Sequence, residues 1–277
     1  MQRHTTAAQA VEQLRQGQHD SPALEALLPT YELLLKLEDE TEAPALTIQL
    51  DSSSAQALWE QGIPLLHSEE SLILPQAMGA VWQQVCDLAA RHLEQQTERL
   101  RGAREWPERQ SEMWLELMEQ YFRDGKAVAE DPQEQDVLSF LLVHTWRPFL
   151  RRWATELEDL LENPPWKQGR CPVCGGQPDF AYLGQEAGER YLVCARCDTS
   201  WRHQRLGCPF CGNQDSSTYG YYPDDEGLYR LYVCNDCRRY LKTVDLRQAG
   251  EGRLLAVERL ATIRMDLAAL QADYRGA

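Results

Sequence analysis

Eight of the nine cysteines in this chain stand in four Cys-x-x-Cys pairs: Cys171 with Cys174, Cys194 with Cys197, Cys208 with Cys211, and Cys234 with Cys237. Two intervening residues let a tight turn aim both sulfurs at one point, about 2.3 Å from a tetrahedral ion, which is the chemistry of thiolate metal ligation. One pair supplies half of such a site, so the pairs must meet in twos. The spacers are 19, 10 and 22 residues in chain order. The first falls inside the usual zinc-site range and the last slightly beyond it.

An internal repeat predicts which pairs share an ion. CPVCGG at Cys171 matches CPFCGN at Cys208, and RYLVCARC ending at Cys197 matches RLYVCNDC ending at Cys237. Sequential copies join the first pair to the second and the third to the fourth; an interleaved arrangement would split each copy. The metal ligands expected are therefore Cys171, Cys174, Cys194 and Cys197 for one ion, and Cys208, Cys211, Cys234 and Cys237 for the other. In each opening knuckle a proline, Pro172 or Pro209, stiffens the turn, and a glycine, Gly175 or Gly212, permits positive φ. Between the knuckles, Asp179 to Leu183 with Arg190 to Val193, and Thr218 to Tyr222 with Leu228 to Val233, read as β-hairpins. A unit of about forty residues buries too little surface to fold alone, so the metal supplies much of its stability. Four thiolates suit two zinc ions or two rubredoxin-type irons, one per site, and ligand count does not separate them. A filled sulfur shell leaves no position for a hydrolytic water, and the chain is read as a non-enzyme with no catalytic residue assigned.

The elements around these knuckles divide the chain. The first 160 residues carry apolar residues three and four apart, a helical period. Met78, Trp82, Val85, Cys86, Ala89 and Leu93 share one face. Met113, Trp114, Leu117, Met118, Tyr121 and Phe122 make a second. Val137, Leu138, Leu141, Leu142, Phe149, Leu150, Trp153, Leu157 and Leu160 continue past a break or kink at Pro148. Ala45 to Leu50 reads as a short strand or an extended loop. The helical pattern stops at Asn163, Pro164 and Pro165. A closing helix is expected from about Leu255 to Tyr274, with Leu260, Ile263, Leu267, Leu270 and Tyr274 on its packing face. The expected fold is α+β: a helical domain over 1–163, tandem rubredoxin-like or zinc-ribbon knuckle-hairpin units over 164–205 and 206–250, and a C-terminal helix over 251–277 packing back on the rest.

Composition narrows the function classes. The formal charge is −15, with eleven basic and ten acidic residues between Lys167 and Arg247 against seventeen and thirty-three elsewhere. An acidic surface repels a phosphate backbone, which disfavours nucleic acid as partner. The cluster Arg202, Arg205, Arg238 and Arg239 reads as solvated surface or a partner contact. The first twenty residues lack the apolar stretch of a signal peptide, and no apolar run approaches the ~20 residues of a membrane span. A cytoplasmic location follows as the expectation, and there paired cysteines point to metal more than to disulfides. Cys86 reads as a buried small hydrophobe, His144 as a core histidine, and His203 as a polar group rather than a ligand.

From Trp166 onward the chain resembles the FdhE-type formate dehydrogenase accessory proteins. The resemblance rests on CPVCGGQP, RYLVCARCDTSW followed by Arg205, CPFCGN, and CNDC followed by Arg239, Tyr240, Leu241, Lys242, Val244 and Asp245, with LATIRMDLAAL at the end; it covers about 110 residues. It implies a cytoplasmic, chaperone-like protein that acts on the catalytic subunit of a respiratory, molybdenum- or tungsten-dependent formate dehydrogenase, helps render it active before export, and binds iron through the eight cysteines. Glu258 and Arg259 stand where that family's pattern has paired aspartates, and the N-terminal half is shorter and more diverged. A rubredoxin-like electron carrier and a structural zinc-ribbon adaptor or nucleic-acid module are the competing readings.

Overall fold

The computed structural model describes residues 6–16, 22–67, 72–92, 96–125, 127, 129, 131–162, 164–249 and 252–276. Leu93 and Asn163, named above, lie outside them.

Helices α1 (Ala7–Gln16), α2 (Pro22–Glu40), α3 (Ser52–Glu60), α4 (Pro75–His92), α5 (Thr97–Arg104), α6 (Trp106–Arg109), α7 (Ser111–Asp124) and α8 (Pro132–Glu156) come first, followed by a 3-10 turn at Glu158–Leu161. The expected apolar stripes are the buried ones: Met78, Trp82, Val85, Cys86 and Ala89 of α4 and Trp114, Met118, Tyr121 and Phe122 of α7 are in the main core. Met113 is the exception at 42% exposed, because it opens α7 one position off the buried face. Of the break or kink expected at Pro148, no break occurs: α8 runs through it. A proline inside a helix costs about 3 kcal/mol, and the neighbouring Trp146, Phe149 and Leu150, all fully buried, offset that cost by packing. Ala45 to Leu50 is irregular chain rather than a strand; Leu46 N–H donates to Glu156 at 2.8 Å. The Asp51 to Ser54 segment caps α3, with the Asp51 carboxylate accepting from Ser54 N–H at 2.8 Å.

After Pro164 and Pro165 the chain builds six strands: β1 (Pro178–Leu183), β2 (Arg190–Cys194), β3 (Ser200–His203), β4 (Tyr219–Pro223), β5 (Tyr229–Cys234) and β6 (Arg239–Asp245). Both predicted hairpins form, as the antiparallel pairs β1/β2 and β4/β5. Each repeat then adds a third strand, β3 or β6, that the hairpin pattern does not announce. The repeats join edge to edge into one sheet of order β3-β2-β1-β6-β5-β4. The junction is parallel, with Phe180 opposite Lys242 and Leu183 opposite Asp245. A parallel pair needs a long crossover, and here the second repeat itself supplies it.

One core crosses the proline segment: Cys171, Val173, Cys174, Ala181, Leu192, Cys194, Cys197 and Trp201 pack in the same cluster as α4, α7 and α8. The closing segment is two helices, α9 (Leu255–Ala261) and α10 (Ile263–Gln271), rather than one. Thr262 interrupts them with φ −94° and ψ 17°. Its hydroxyl donates to Glu258 C=O at 2.8 Å, the back-bonding that bends helices. The bend turns part of the expected face outward: Leu267 and Leu270 are 43% and 54% exposed, while Leu260 and Tyr274 still pack and Ala269 lies on Leu231, Val233 and Tyr240. Val257 of α9 packs with Ala10, Leu14 and Leu35. Among the described residues, no helix is long and apolar enough to cross a membrane.

Candidate metal centres

Each opening knuckle is a turn closed by its own backbone. Cys171 N–H donates to Gly176 C=O at 2.8 Å and Gly175 N–H to Cys171 C=O at 3.0 Å. In the second copy, Cys208 N–H donates to Asn213 C=O at 2.7 Å and Gly212 N–H to Cys208 C=O at 2.9 Å. Gly175 and Gly212 sit at φ 70° and 76°, in the left-handed region that the sequence reading reserved for them. The closing knuckles follow β2 and β5, and in both the residue after the last cysteine is left-handed too: Asp198 at φ 60° and Arg238 at φ 56°. Neither is glycine, so no residue type marks the position.

The turns bring the sulfurs together in the sequential pairing. Sγ–Sγ separations are 3.6 Å for Cys171–Cys197 and 3.5 Å for Cys174–Cys194 and Cys174–Cys197. In the second group they are 3.6 Å for Cys208–Cys237 and 3.7 Å for Cys211–Cys234. Within each group all four ligand atoms lie within 4.8 Å of one another. Four sulfurs 2.3 Å from a common centre stand roughly 3.8 Å apart at the corners of a tetrahedron. A disulfide would need about 2.05 Å, and all eight are free thiols. The donor set thus fits a zinc or iron ion. Backbone N–H groups point at the sulfurs, Val173 to Cys171 and Arg196 to Cys194, both at 3.4 Å.

The electrostatics favour a cation. Burial pushes the Cys171 and Cys197 thiols well above the usual range. For Cys194 the opposing effect of burial is overcome by hydrogen bonds from Cys171, Cys174 and Cys197, which hold it well below that range. Cys234 likewise falls to about 7, because backbone N–H bonds from Cys237 and Asp236 outweigh its burial. Four thiolates crowded together repel one another unless a metal ion neutralises them.

Around the first group lies an ion network that no local motif announces. Arg147 of α8 donates to Glu38 at 2.7 Å, Ala195 C=O at 2.7 Å and Asp198 at 3.0 Å. Arg151 pairs with Glu38 at 2.8 Å and Asp198 at 3.1 Å. Arg259 binds Asp198, Asp179 at 2.8 Å and Cys194 C=O at 2.8 Å. Burial opposes ionisation of Glu38, yet Arg147 and its neighbours hold it down to about 2. Asp198 is likewise held far below the carboxylate range, by Arg147, Arg259 and Arg151 against burial. Burial raises Asp179. Glu38, Arg147, Asp179 and Arg259 wall a cleft of about 380 Å³ between α2, α8, the β1/β6 junction and α9–α10, which Lys242 and Asp266 also line. Arg259 occupies one of the two positions that depart from the resemblance. The other, Glu258, is buried against Tyr229 and Arg253.

The remaining candidates sit apart from the sulfurs. Cys86 is buried on α4, its thiol pushed up to about 12 chiefly by burial. His144 lies on α8 with Nδ1 3.6 Å from Glu38. His203 meets the fully buried Arg190 at 3.1 Å, and burial together with that guanidinium lowers it to about 4. Arg190 also donates to Tyr219 OH and Gly207 C=O, both at 2.9 Å, tying the first repeat to the second. Of the arginine cluster, Arg202 and Arg205 are exposed. Arg238 and Arg239 bind the C-terminal tail at Ala272 C=O and Gly276 C=O.

Comparison with known proteins agrees with this geometry. Residues 170–205 match the family model described as FdhE, central domain. The chain is 31% identical to an FdhE homolog of Aquifex aeolicus over 152 residues, 52% of each chain. It is 33% identical to an FdhE homolog of Stutzerimonas stutzeri over 122 residues, 43% of this chain and 39% of that one. It therefore matches about half or less of the length of these curated relatives. In fold it is similar to the crystal structure of the FdhE protein from Pseudomonas aeruginosa, with TM-score 0.60 and 22% identity over 98% of this chain and 91% of that one. In its central cysteine region and in its fold, the chain is similar to FdhE proteins.

Proposed function

We propose that this chain is a metal-binding accessory protein for a formate dehydrogenase. Its eight paired cysteines hold two ions, iron or zinc, and it acts by binding the catalytic subunit rather than by turning over a substrate. The observation that carries the reading is the pair of four-sulfur groups at tetrahedral spacing in a chain whose central cysteine region matches that of FdhE. A complete sulfur shell gives an ion no open position for hydrolysis, which favours a binding role. The helical portion up to residue 163, with its acidic surplus, is the part proposed to face the protein partner, and the ribbons over 164–205 and 206–250 hold the ions. Cysteines paired for metal rather than for disulfides, and the work of such a partner before export, support a cytoplasmic location.

Two measurements test this. Protein isolated without oxygen should contain about two ions per chain by elemental analysis, and its absorption spectrum separates coloured iron tetrathiolate from colourless zinc. Affinity capture from anaerobically grown cells should recover a formate dehydrogenase catalytic subunit. Metal-free chain, or capture that never returns such a subunit, would overturn the proposal.

A further inference from the structure

The two four-cysteine groups share a local turn geometry and differ in what surrounds it. All four sulfurs of the first are in the main core with the helices. The backbone of its knuckles is held from outside the ribbon. Pro172 C=O accepts from Trp59 Nε1 at 3.1 Å and from Leu65 N–H at 3.0 Å. Val173 C=O accepts from Leu66 N–H at 2.8 Å. Cys194 and Ala195 carbonyls accept from Arg259 and Arg147, and the Arg196 guanidinium donates to Tyr121 and Phe122 carbonyls of α7 at 2.7 and 2.8 Å.

The second group is built at the surface. Cys211 is exposed and Cys237 half-buried, while Cys208 and Cys234 are buried behind them. Its knuckles are held by the repeat itself, by the C-terminal tail and, at Gly207 C=O beside Cys208, by Arg190 of the first repeat: Asn213 Nδ2 donates to Thr218 Oγ1 at 2.6 Å, Tyr274 OH to Asn235 Oδ1 at 2.5 Å, and the Arg190 guanidinium to Gly207 C=O at 2.9 Å. The Arg239 guanidinium lies 3.9 Å over the Phe210 ring, and Leu206, two residues before Cys208, is 75% exposed.

Resting on the reading that both groups bind metal, we propose that they differ in role. The first holds its ion for the life of the fold, and the second is an exchange site that opens through Cys211. Replacing a ligand at a tetrathiolate ion needs room for an incoming group and a proton for the departing sulfur. At the second site the exposed Cys211 would be the ligand within reach of an external thiol, whose sulfur would take the place of Cys211 on a bound ion and whose proton would pass to the Cys211 sulfur. No electron moves. At the first site the same step requires opening the main core, whose free energy approaches that of global unfolding, whereas an exposed turn opens locally.

The test is metal release from the zinc-loaded full chain into excess 4-(2-pyridylazo)resorcinol at neutral pH. One equivalent should leave at least about 10-fold faster than the other, and Cys211→Ser should abolish the fast equivalent while the slow one stays bound. Iodoacetamide labelling of the wild-type chain during release, read by peptide mapping, should mark Cys208, Cys211, Cys234 and Cys237 before Cys171, Cys174, Cys194 and Cys197. Two equivalents leaving in a single phase, or first labelling of the Cys171 group, overturns the inference while leaving two-ion binding intact. A chain that takes up no zinc instead overturns the metal reading on which the inference stands.

Discussion

Glu38 offers the sharpest test of how the helices grip the first metal centre. Its carboxylate, 3% exposed, holds Arg147 and Arg151 against the knuckle at Ala195 and Asp198. Its folded-state value of about 2, against an ordinary 4.5, corresponds to about 3 kcal/mol at 1.36 kcal/mol per unit. Because the folded value is depressed, this stability is present above the ordinary carboxylate range and is lost as pH falls toward the folded value. By linkage about 1 kcal/mol of it disappears by pH 4. Glu38→Gln keeps the shape and removes the charge, leaving two buried guanidiniums short of a partner. The variant should therefore be less stable by about 3 kcal/mol at pH 7, in line with the cost of removing one member of a buried pair. Urea melts followed by circular dichroism on metal-loaded protein at pH 7 and pH 4 would measure it. The gap between the two proteins should narrow by about 1 kcal/mol at the lower pH, and metal loss in acid, common to both, cancels in the difference. A gap under about 1 kcal/mol at pH 7, or one that widens in acid, would refute the account of Glu38 as an ionised clamp.

Other expectations follow from the same geometry. Gly169→Ala would place a Cβ 1.8 Å from Pro209 C=O, so it should push on the second opening knuckle and lower zinc retention at one of the two sites; unchanged release kinetics would contradict it. Adding zinc to metal-free chain in weak buffer at pH 7 should release protons, since burial keeps the Cys171 and Cys197 thiols protonated. A pH electrode that registers none would show the sulfurs are not the ligands. Cys86→Ala, deep in the helical core, should cost about 1 kcal/mol in a thermal melt and leave metal content unchanged; loss of an ion on this substitution would assign Cys86 a role its burial denies.

Much of the local structure was legible in residue types. The Pro and Gly of CPVCGG and CPFCGN announce turns, and both glycines take positive φ. The duplication of those knuckles implied which sulfurs gather, and the apolar spacing on α4 and α7 marked their buried faces. Errors arose where a local rule met a competing contact. Pro148 does not stop α8 because its turn lies among fully buried aromatic side chains. The closing helix breaks at Thr262 because a hydroxyl competes for a helical carbonyl, and the break turns Leu267 and Leu270 outward.

What the order of amino acids determined by itself is short-range: a tight turn needs particular residues within six positions, and a repeated turn is visible as a repeated string. What only the tertiary structure decided spans tens to hundreds of residues. The parallel seam of β1 against β6, the convergence of Glu38, Arg147, Asp198 and Arg259, and the full burial of one sulfur group beside the partial exposure of its copy at Cys211 all belong to it. A single arginine on a helix looks like any solvated charge until another element packs over it. The two copies carry nearly the same knuckle residues, so their difference in accessibility comes from their neighbours.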